Sequence, residues 1–522
     1  MTNTIIRAAF SPLSSLLRPR ALMLATLGVS VASAAAADGL RVVTWNISNY
    51  SGGRVSQLQT AIYSEFEGRS MDPDVFVGQE ILSQFAANTL VGILNSAPNS
   101  PGDWAAAPFI NGPDTDNAMF YRTSKVEFLG QTVLPADGTS GSPRDVNRYD
   151  IRLVGYGDTD TRLSMYSVHM KAGSGSSDQA RRLIEAQKIR ADAETLDPAI
   201  HIMILGDFNI QSSSQAAYVF MTGSQGNNNG RVVDPIGTPG SWNNSGLYRY
   251  VHTQDPSGAG GMDDRHDQVL VDPSLGDGFG LEYRGIFGLP YSTSTWNDPN
   301  HSYRSWGNDG TSFNTVMTTA GNTMVGQSIA LALVQVASGG GHLPVFLDMI
   351  VPPVFQTQLA IKIGDVQQGT IGDASFLVEN AGDVNRWGMT GIDDLEFTIV
   401  ADPPLIAPVG TFSAAAGAGP VFPTISLDAA GLPAGPFEYS FDIVTNDPDM
   451  PVFTHAVVGT VTPADCPADI AEPFGALNFF DVAEFISLYN ANSPSADLAE
   501  PFGTLNFFDV SEFITQYNAG CP

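Results

Sequence analysis

The feature that most constrains this chain is a series of short apolar runs that each end on a polar residue. Residues 40–45 (LRVVTW) end in Asn46, residues 74–78 (DVFVG) in Gln79 and Glu80, and residues 162–168 (RLSMYSV) in His169. Residues 201–205 (HIMIL) lead into Gly206-Asp207-Phe208-Asn209. Each run is too short for a helix and partly β-branched, which reads as a buried strand. Between them, residues 55–66 and 179–195 carry helical spacing, so the pattern is one of strands alternating with helices. Residues 119–121 and 125–129 read as a hairpin, residues 149–154 as a further strand, and residues 265–271 (RHDQVLV) and 345–350 as two more.

Strand ends are where active groups gather, because the sheet fixes them while the loops stay open. In extended chain alternate side chains share a face, so Asp207 and Asn209 are expected to converge on one target while Phe208 turns into protein. The same residues also read as a strand running into an Asx-type turn. Gly206 reads as a place where the backbone comes close to whatever is held there. Carboxylates with an Asn carbonyl suit a hard divalent cation, Mg²⁺ or Ca²⁺. A second His or Cys at short spacing, as zinc requires, does not accompany them. His169 suits acid-base or phosphate work, and Asp267 and His342 can form a carboxylate–imidazole pair. His201, His252, His266 and His301 are read as structural or surface residues.

The ordered set TWN at 44–46, GQE at 78–80, VHMKAGS from Val168, LGDFN from Leu205, RHDQVLV from Arg265 and HLPV from His342 resembles the endonuclease/exonuclease/phosphatase superfamily, the deoxyribonuclease-I-like fold. The resemblance implies a four-layered α/β sandwich, two mostly antiparallel sheets flanked by helices. It implies a metal-dependent phosphodiesterase using Mg²⁺, or Ca²⁺ or Mn²⁺. Carried over residue by residue, it puts Asn46, Glu80 and Asp207 at the metal and has Asp207 and Asn209 position nucleophile and phosphate. His169 would bind and protonate the phosphoryl group, and Asp267 would orient His342 as general base or electrostatic partner. Arg148 and Lys171 are candidates for substrate phosphate, with a solvated surface role as the alternative. One departure stands out: the family has Ser-Asp-His where this chain has Gly340-Gly341-His342. A neighbouring acid replaces that carboxylate, or the metal binds more weakly, or the domain has lost turnover. The implied substrate is nucleic acid, cut by an endonuclease. The alternatives are a sphingomyelinase-like phospholipid phosphodiesterase and a catalytically silent binding protein.

Charge is divided unevenly along the 522 residues. The formal net charge is −30. Residues 39–350 hold 19 basic and 31 acidic residues, whereas residues 351–522 hold only Lys362 and Arg386 against 22 acidic ones. A phosphorylated substrate therefore belongs to the first part, and a general nucleic-acid coat is excluded. Residues 1–37 read as a signal peptide, with Arg7, Arg18 and Arg20 before an apolar core and small residues before Asp38. The expectation is a secreted or cell-surface-attached protein without a transmembrane segment.

The catalytic unit is expected over residues 38–352. Residues 353–463 alternate over short strands between Gly, Pro and Asp turns and read as a β-sandwich resembling immunoglobulin-like modules of secreted proteins. Residues 464–522 contain a repeat: ADIAEPFGALNFFDVAEFISLYNA recurs 28 residues later as ADLAEPFGTLNFFDVSEFITQYNA. It resembles a dockerin-like paired calcium module. Asp469, Asn478 and Asp481 in the first loop and Asp497, Asn506 and Asp509 in the second are the implied Ca²⁺ ligands. Ala471, Pro473, Ala499 and Pro501 stand where further acids are expected, so a helix pair held by apolar packing is the alternative. Cys466 and Cys521 bracket the repeats and are read as a disulfide clasp. The tail is expected to meet a protein or cell-surface partner.

Overall fold

The computed structural model describes residues 38–258, 260–464 and 466–520. The expected signal peptide, residues 1–37, lies outside the described residues. So does Cys521, and with it the expected Cys466–Cys521 clasp. Among the described residues no helix is long and apolar enough to cross a membrane.

The first unit runs through β1 (Leu40–Tyr50), α1 (Val55–Tyr63), β2 (Val75–Ile81), α2 (Gln84–Ser96), β3 (Trp104–Ala106), β4 (Asp116–Arg122), β5 (Val126–Leu134) and β6 (Val146–Leu153). It continues with β7 (Arg162–His169), α3 (Ser176–Ala193), β8 (His201–Asp207), α4 (Ala216–Thr222) and β9 (Asp267–Val271). It closes with β10 (Glu282–Tyr283), β11 (Arg304–Ser305), α5 (Gly326–Val336) and β12 (Val345–Ile350). One sheet has the order β10-β12-β1-β2-β4-β3 with β11 on β12, the other β5-β6-β7-β8-β9.

Burial alternates along the strands and sorts them into four layers. Val43, Trp45 and Ile47 of β1 pack against α1, α2 and α5. Val42, Val77 and Leu347 meet Tyr149, Met165 and Met203 of the other sheet. Tyr166, Val168 and Ile204 then face α3 and α4. The order is helix, sheet, sheet, helix, as the resemblance implied. Within this unit β1–β2 and β7–β8 are parallel and the other pairings antiparallel. A parallel pair needs a crossover, which α1 and α3 supply. Each crossover returns the chain so that consecutive strands end at the same edge, Asn46 level with Gln79 and His169 level with Asp207.

The expected hairpin over residues 119–129 does not form. β4 belongs to one sheet and β5 to the other, and Tyr121 and Phe128 stack at 5.8 Å instead of pairing in register. The crossing is held by buried charge. Asp74 takes Arg122 at 3.1 Å and Lys125 at 3.2 Å, while Lys125 also donates to the Gly39 carbonyl. Asp103 takes the other side of Arg122 at 3.0 Å.

Beyond Pro352 the chain forms a β-sandwich around Phe376, Leu395, Ile425, Phe441 and Val457. A five-stranded sheet runs in the order Ile361–Gln367, Val452–Thr462, Gly435–Thr445, Leu395–Ala401, Phe412–Ala414. Trp387 of this unit is buried against the first, under Lys125 at 5.3 Å. The tail holds helices Phe479–Asn490 and Phe507–Ala519, whose Phe485 and Phe513 rings stack at 4.0 Å. Apolar packing between repeats is therefore what joins them. The implied Ca²⁺ ligands have other partners. Asp481 accepts the N–H groups of Ile470, Ala471 and Asn478, and Asp509 those of Leu498, Ala499 and Asn506. Asp469 and Asp497 accept from Gly475 and Gly503, and Asn478 and Asn506 cap the helices. Each loop thus bonds its own amides, while the Oδ1 atoms of Asp469 and Asp497 are buried and without a hydrogen-bond partner among the described residues.

Replacing Asp74 by Ala leaves Lys125 buried without a carboxylate and takes one of the two carboxylates from Arg122. Urea unfolding should show a loss of about 3–5 kcal/mol, far beyond a surface substitution.

Candidate active site

Five residues from four strand ends and one loop meet around the Asp207 carboxylate. β8 is apolar from Ile202 to Leu205 and buried along its whole length, and it carries Asp207 to the sheet edge at 2% exposure. Asn46, the last residue of β1 in regular register with β2 before it breaks, donates its Nδ2 to Asp207 Oδ2 at 3.2 Å and to Glu80 Oε1 at 3.0 Å. His169, last residue of β7, places Nε2 3.4 Å from Asp207 Oδ2 and 4.0 Å from Glu80 Oε1. His342 comes in on the loop before β12, where its N–H bonds the Asn46 carbonyl at 3.1 Å. Its Nδ1 is 2.8 Å from Asp267 Oδ2 and 3.7 Å from Asp207 Oδ2. Asp267 in turn accepts from the Thr253 hydroxyl at 2.6 Å.

Backbone conformation aims these groups. Glu80 has φ 63° and Asn209 φ 50°, a left-handed region that non-glycine residues enter at some cost and that clusters at functional sites. The expectation that Asp207 and Asn209 share a strand face is therefore corrected. β8 ends at Asp207, and the Asn209 N–H turns back to Asp207 Oδ1 at 3.0 Å, the Asx turn, while its Nδ2 reaches the Met170 carbonyl at 3.1 Å. Phe208 is buried in the layer against α3 and α4, as expected. Gly206 serves a different purpose from the one expected. At φ 137°, a Cβ there would lie 2.0 Å from the Val168 carbonyl oxygen, so glycine permits the close β7–β8 approach rather than a ligand.

The two imidazoles are held in different charge states. Burial opposes charge on His342, but Asp267 and Asp207 outweigh it and raise its pKa to about 10. For His169 burial prevails over the attraction of Asp207 and lowers the pKa to about 4. Burial alone would raise Asp207, yet His342 and His169 bring it down to about 2. At neutral pH Asp207 thus stands as a carboxylate, His342 as an imidazolium and His169 as a neutral imidazole.

The oxygens that would take a divalent cation on one side of this cluster are those of Glu80 and Asp207, both of which receive Asn46 Nδ2 here, while Asn46 Oδ1 accepts the Ser48 N–H at 3.1 Å. The Asn46 carboxamide would have to turn over to offer its oxygen to Mg²⁺. Among the described residues no three His, Cys, Asp or Glu gather closely enough to hold an ion by themselves. A Cβ on Gly341 would come within 2.8 Å of Ser48 Cβ and 3.0 Å of Ala337 Cα, so the position where the resemblance leads one to expect a carboxylate is packed against its neighbours.

Arg148 does not serve the site. It is bound by Asp150 at 3.0 Å and Asp192 at 2.6 Å on the α3 side of its sheet. Lys171 pairs with Asp178 in the first turn of α3 at 3.1 Å. Two residues were missed. His266, taken as structural or surface, lies with its ring 5.9 Å from that of His342. The signal was its place just before β9, where strand alternation does not yet separate it from Asp267. Arg144 donates to the His169 carbonyl at 3.3 Å, and nothing in its surrounding SPRD sequence marks it.

Residues 43–284 match the model of the Endonuclease/Exonuclease/phosphatase family. That stretch contains Asn46, Glu80, His169, Asp207, Asn209 and Asp267; it stops before His342, which the structure brings beside them. Among solved structures the chain is similar to an endonuclease/exonuclease/phosphatase family protein from Bacteroides thetaiotaomicron, at 15% identity over 59% of this chain and 94% of that one, TM-score 0.33. It is similar to the human Nocturnin catalytic domain with bound sulfate anion, at 15% identity over 60% and 94%, TM-score 0.32. A third is D. rerio TDP2 complexed with single strand DNA product, at 12% identity over 59% and 98%, TM-score 0.33. No curated protein sequence matches the chain.

Two outcomes follow from this geometry. Gly206→Ala should fold poorly, seen as loss of soluble protein or a sharply lower Tm, because the clash is with backbone. An unfolded imidazole titrates near 6.5. The stabilising effect of the His342 charge should then be complete below about pH 6.5 and vanish as pH rises towards 10. Unfolding free energies measured in chelator from pH 6 to 10 should fall more steeply for the natural chain than for His342→Asn.

Proposed function

We propose that the first unit is a divalent-metal-dependent phosphodiesterase, an endonuclease acting on nucleic acid. The observation that carries this is the convergence of Asn46, His169 and His342 on the Asp207 carboxylate, within 3.2 to 3.7 Å, from separate elements of both sheets. Such a set suits hydrolysis by water: one phosphorus–oxygen bond forms as the opposite one breaks. Charge then builds on the phosphoryl oxygens. The His342 imidazolium, anchored by Asp267, faces that charge as an electrostatic partner. His169 is neutral and free to carry a proton between water, phosphoryl oxygen and leaving group. Asn209 and Asp207 orient the attacking water and the phosphate. A cation held by Glu80, with the Asn46 carboxamide turned to offer its oxygen, would supply Lewis-acid polarisation of the phosphoryl oxygens.

We extend the reading to the rest of the chain. Residues 1–37 direct export, and the tail attaches the protein to a partner; Phe479 and Phe507 stand 77% and 76% exposed at matching places in the two repeats. A second reading, a silent binding protein of the same fold, rests on Gly341.

Mature protein should be assayed on plasmid DNA, RNA and sphingomyelin with Mg²⁺, Mn²⁺, Ca²⁺ or chelator. Nucleic acid should be cut only with metal, and His169→Ala and His342→Ala should each lower the rate by about 10²-fold or more. Cleavage that survives chelator and both substitutions overturns the proposal. Cleavage of sphingomyelin alone moves the substrate to phospholipid, and inertness on all three favours the silent form.

A further inference from the structure

A second concave site lies on the opposite side of the first sheet from the catalytic cluster. Arg41 and Asn46 are both on β1 but differ in parity. Arg41 shares its face with Val43 and Trp45, the side covered by helices, and stands five residues, about 16 Å of extended chain, before Asn46. Around it opens a cavity of about 290 Å³, at the lower end of the size typical of small-molecule sites.

Four guanidinium groups line this cavity, those of Arg41, Arg69, Arg284 and Arg304. The carboxylate in the lining is Asp348, and Arg41 takes both of its oxygens at 2.7 and 3.0 Å. Arg69 meets Glu67 at the rim, a residue whose side chain is 65% exposed. Among the described residues Arg284 and Arg304 hydrogen-bond only to carbonyl, hydroxyl and amide oxygens. Four guanidinium groups against the Asp348 and Glu67 carboxylates leave an excess of two positive charges here in a chain of net charge −30.

The cations are also fixed in place. Arg69 lies 5.5 Å over Phe66 and 5.2 Å over Trp296, with Nε and Nη2 tied to oxygens, and its Nη1 has no hydrogen-bond partner among the described residues. Arg304 Nε is likewise without one. Most of these N–H groups are taken by protein oxygens, and the donors left open, Arg69 Nη1 and Arg304 Nε, are held in place in a lining that includes the Trp296 indole, which suits a phosphate group carried on a small organic body. Arginines that serve only to brace loops would give the same hydrogen bonds but no ligand.

We propose that this cavity binds a small phosphate monoester, apart from the catalytic cluster and whatever the reaction performed there. The test is calorimetric titration of the mature full-length chain in chelator with AMP, inorganic phosphate and adenosine. AMP and phosphate should bind and adenosine should not. Arg69→Gln and Arg304→Gln should each weaken AMP by about tenfold or more, and rising salt should weaken it further. His169→Ala should leave binding unchanged. Thermal unfolding checks each variant; if Arg304→Gln does not fold, Arg69→Gln and Arg304→Lys decide, the lysine keeping the charge but losing the fork. Absence of binding by AMP and phosphate to about 5 mM overturns the proposal, as do equal binding of adenosine, indifference to the arginine changes, or loss of binding in His169→Ala.

Discussion

A carboxylate buried as deeply as that of Asp207 is stable only where its charge is answered from several sides. Water is excluded, so an unpaired carboxylate there would cost several kcal/mol or take up a proton. The answer comes from Asn46 on one sheet, His169 on the other, His342 on the loop before β12 and the Asn209 amide beyond β8. His169 and the Asn209 amide belong to the same sheet as Asp207, but Asn46 and His342 reach it only because the two sheets present the same edge. The parallel pairs β1–β2 and β7–β8, each returned by its helix, set that edge. Folding of the sandwich and assembly of the site are thus one event.

Much of this was legible in the sequence, for a physical reason. Strands buried on both faces read as unbroken apolar runs, and polar residues are tolerated only where such runs end, so Asn46, Glu80, His169 and Asp207 stood out. What stayed hidden depends on distant partners. NAMFYRTSKVEFL has the length and polarity of a hairpin, and only Asp74, far back in the chain, sends its two strands into different sheets. Arg148 looks like a phosphate ligand until Asp192, 44 residues on, is found against it. In the tail, acids at cation-loop spacing also fit amide-closed loops, and sequence spacing does not distinguish the two.

The division of charge along the chain acquires a structural sense. Residues beyond 350 hold almost no cations, whereas the first unit fixes its arginines at defined places: against carboxylates beneath sheets, at the edge of the cluster, and around the cavity beside Arg41. In an acidic molecule, such fixed cations focus anions onto few spots.

Gly341 bears on how this chain can change. With Ser48 and Ala337 pressed against the space a side chain would need, no side chain enters there unless one of them shifts. A substitution at this position is therefore a packing change before it is a chemical one, and its first effect falls on the loop that carries His342 and on Ser48 of β1.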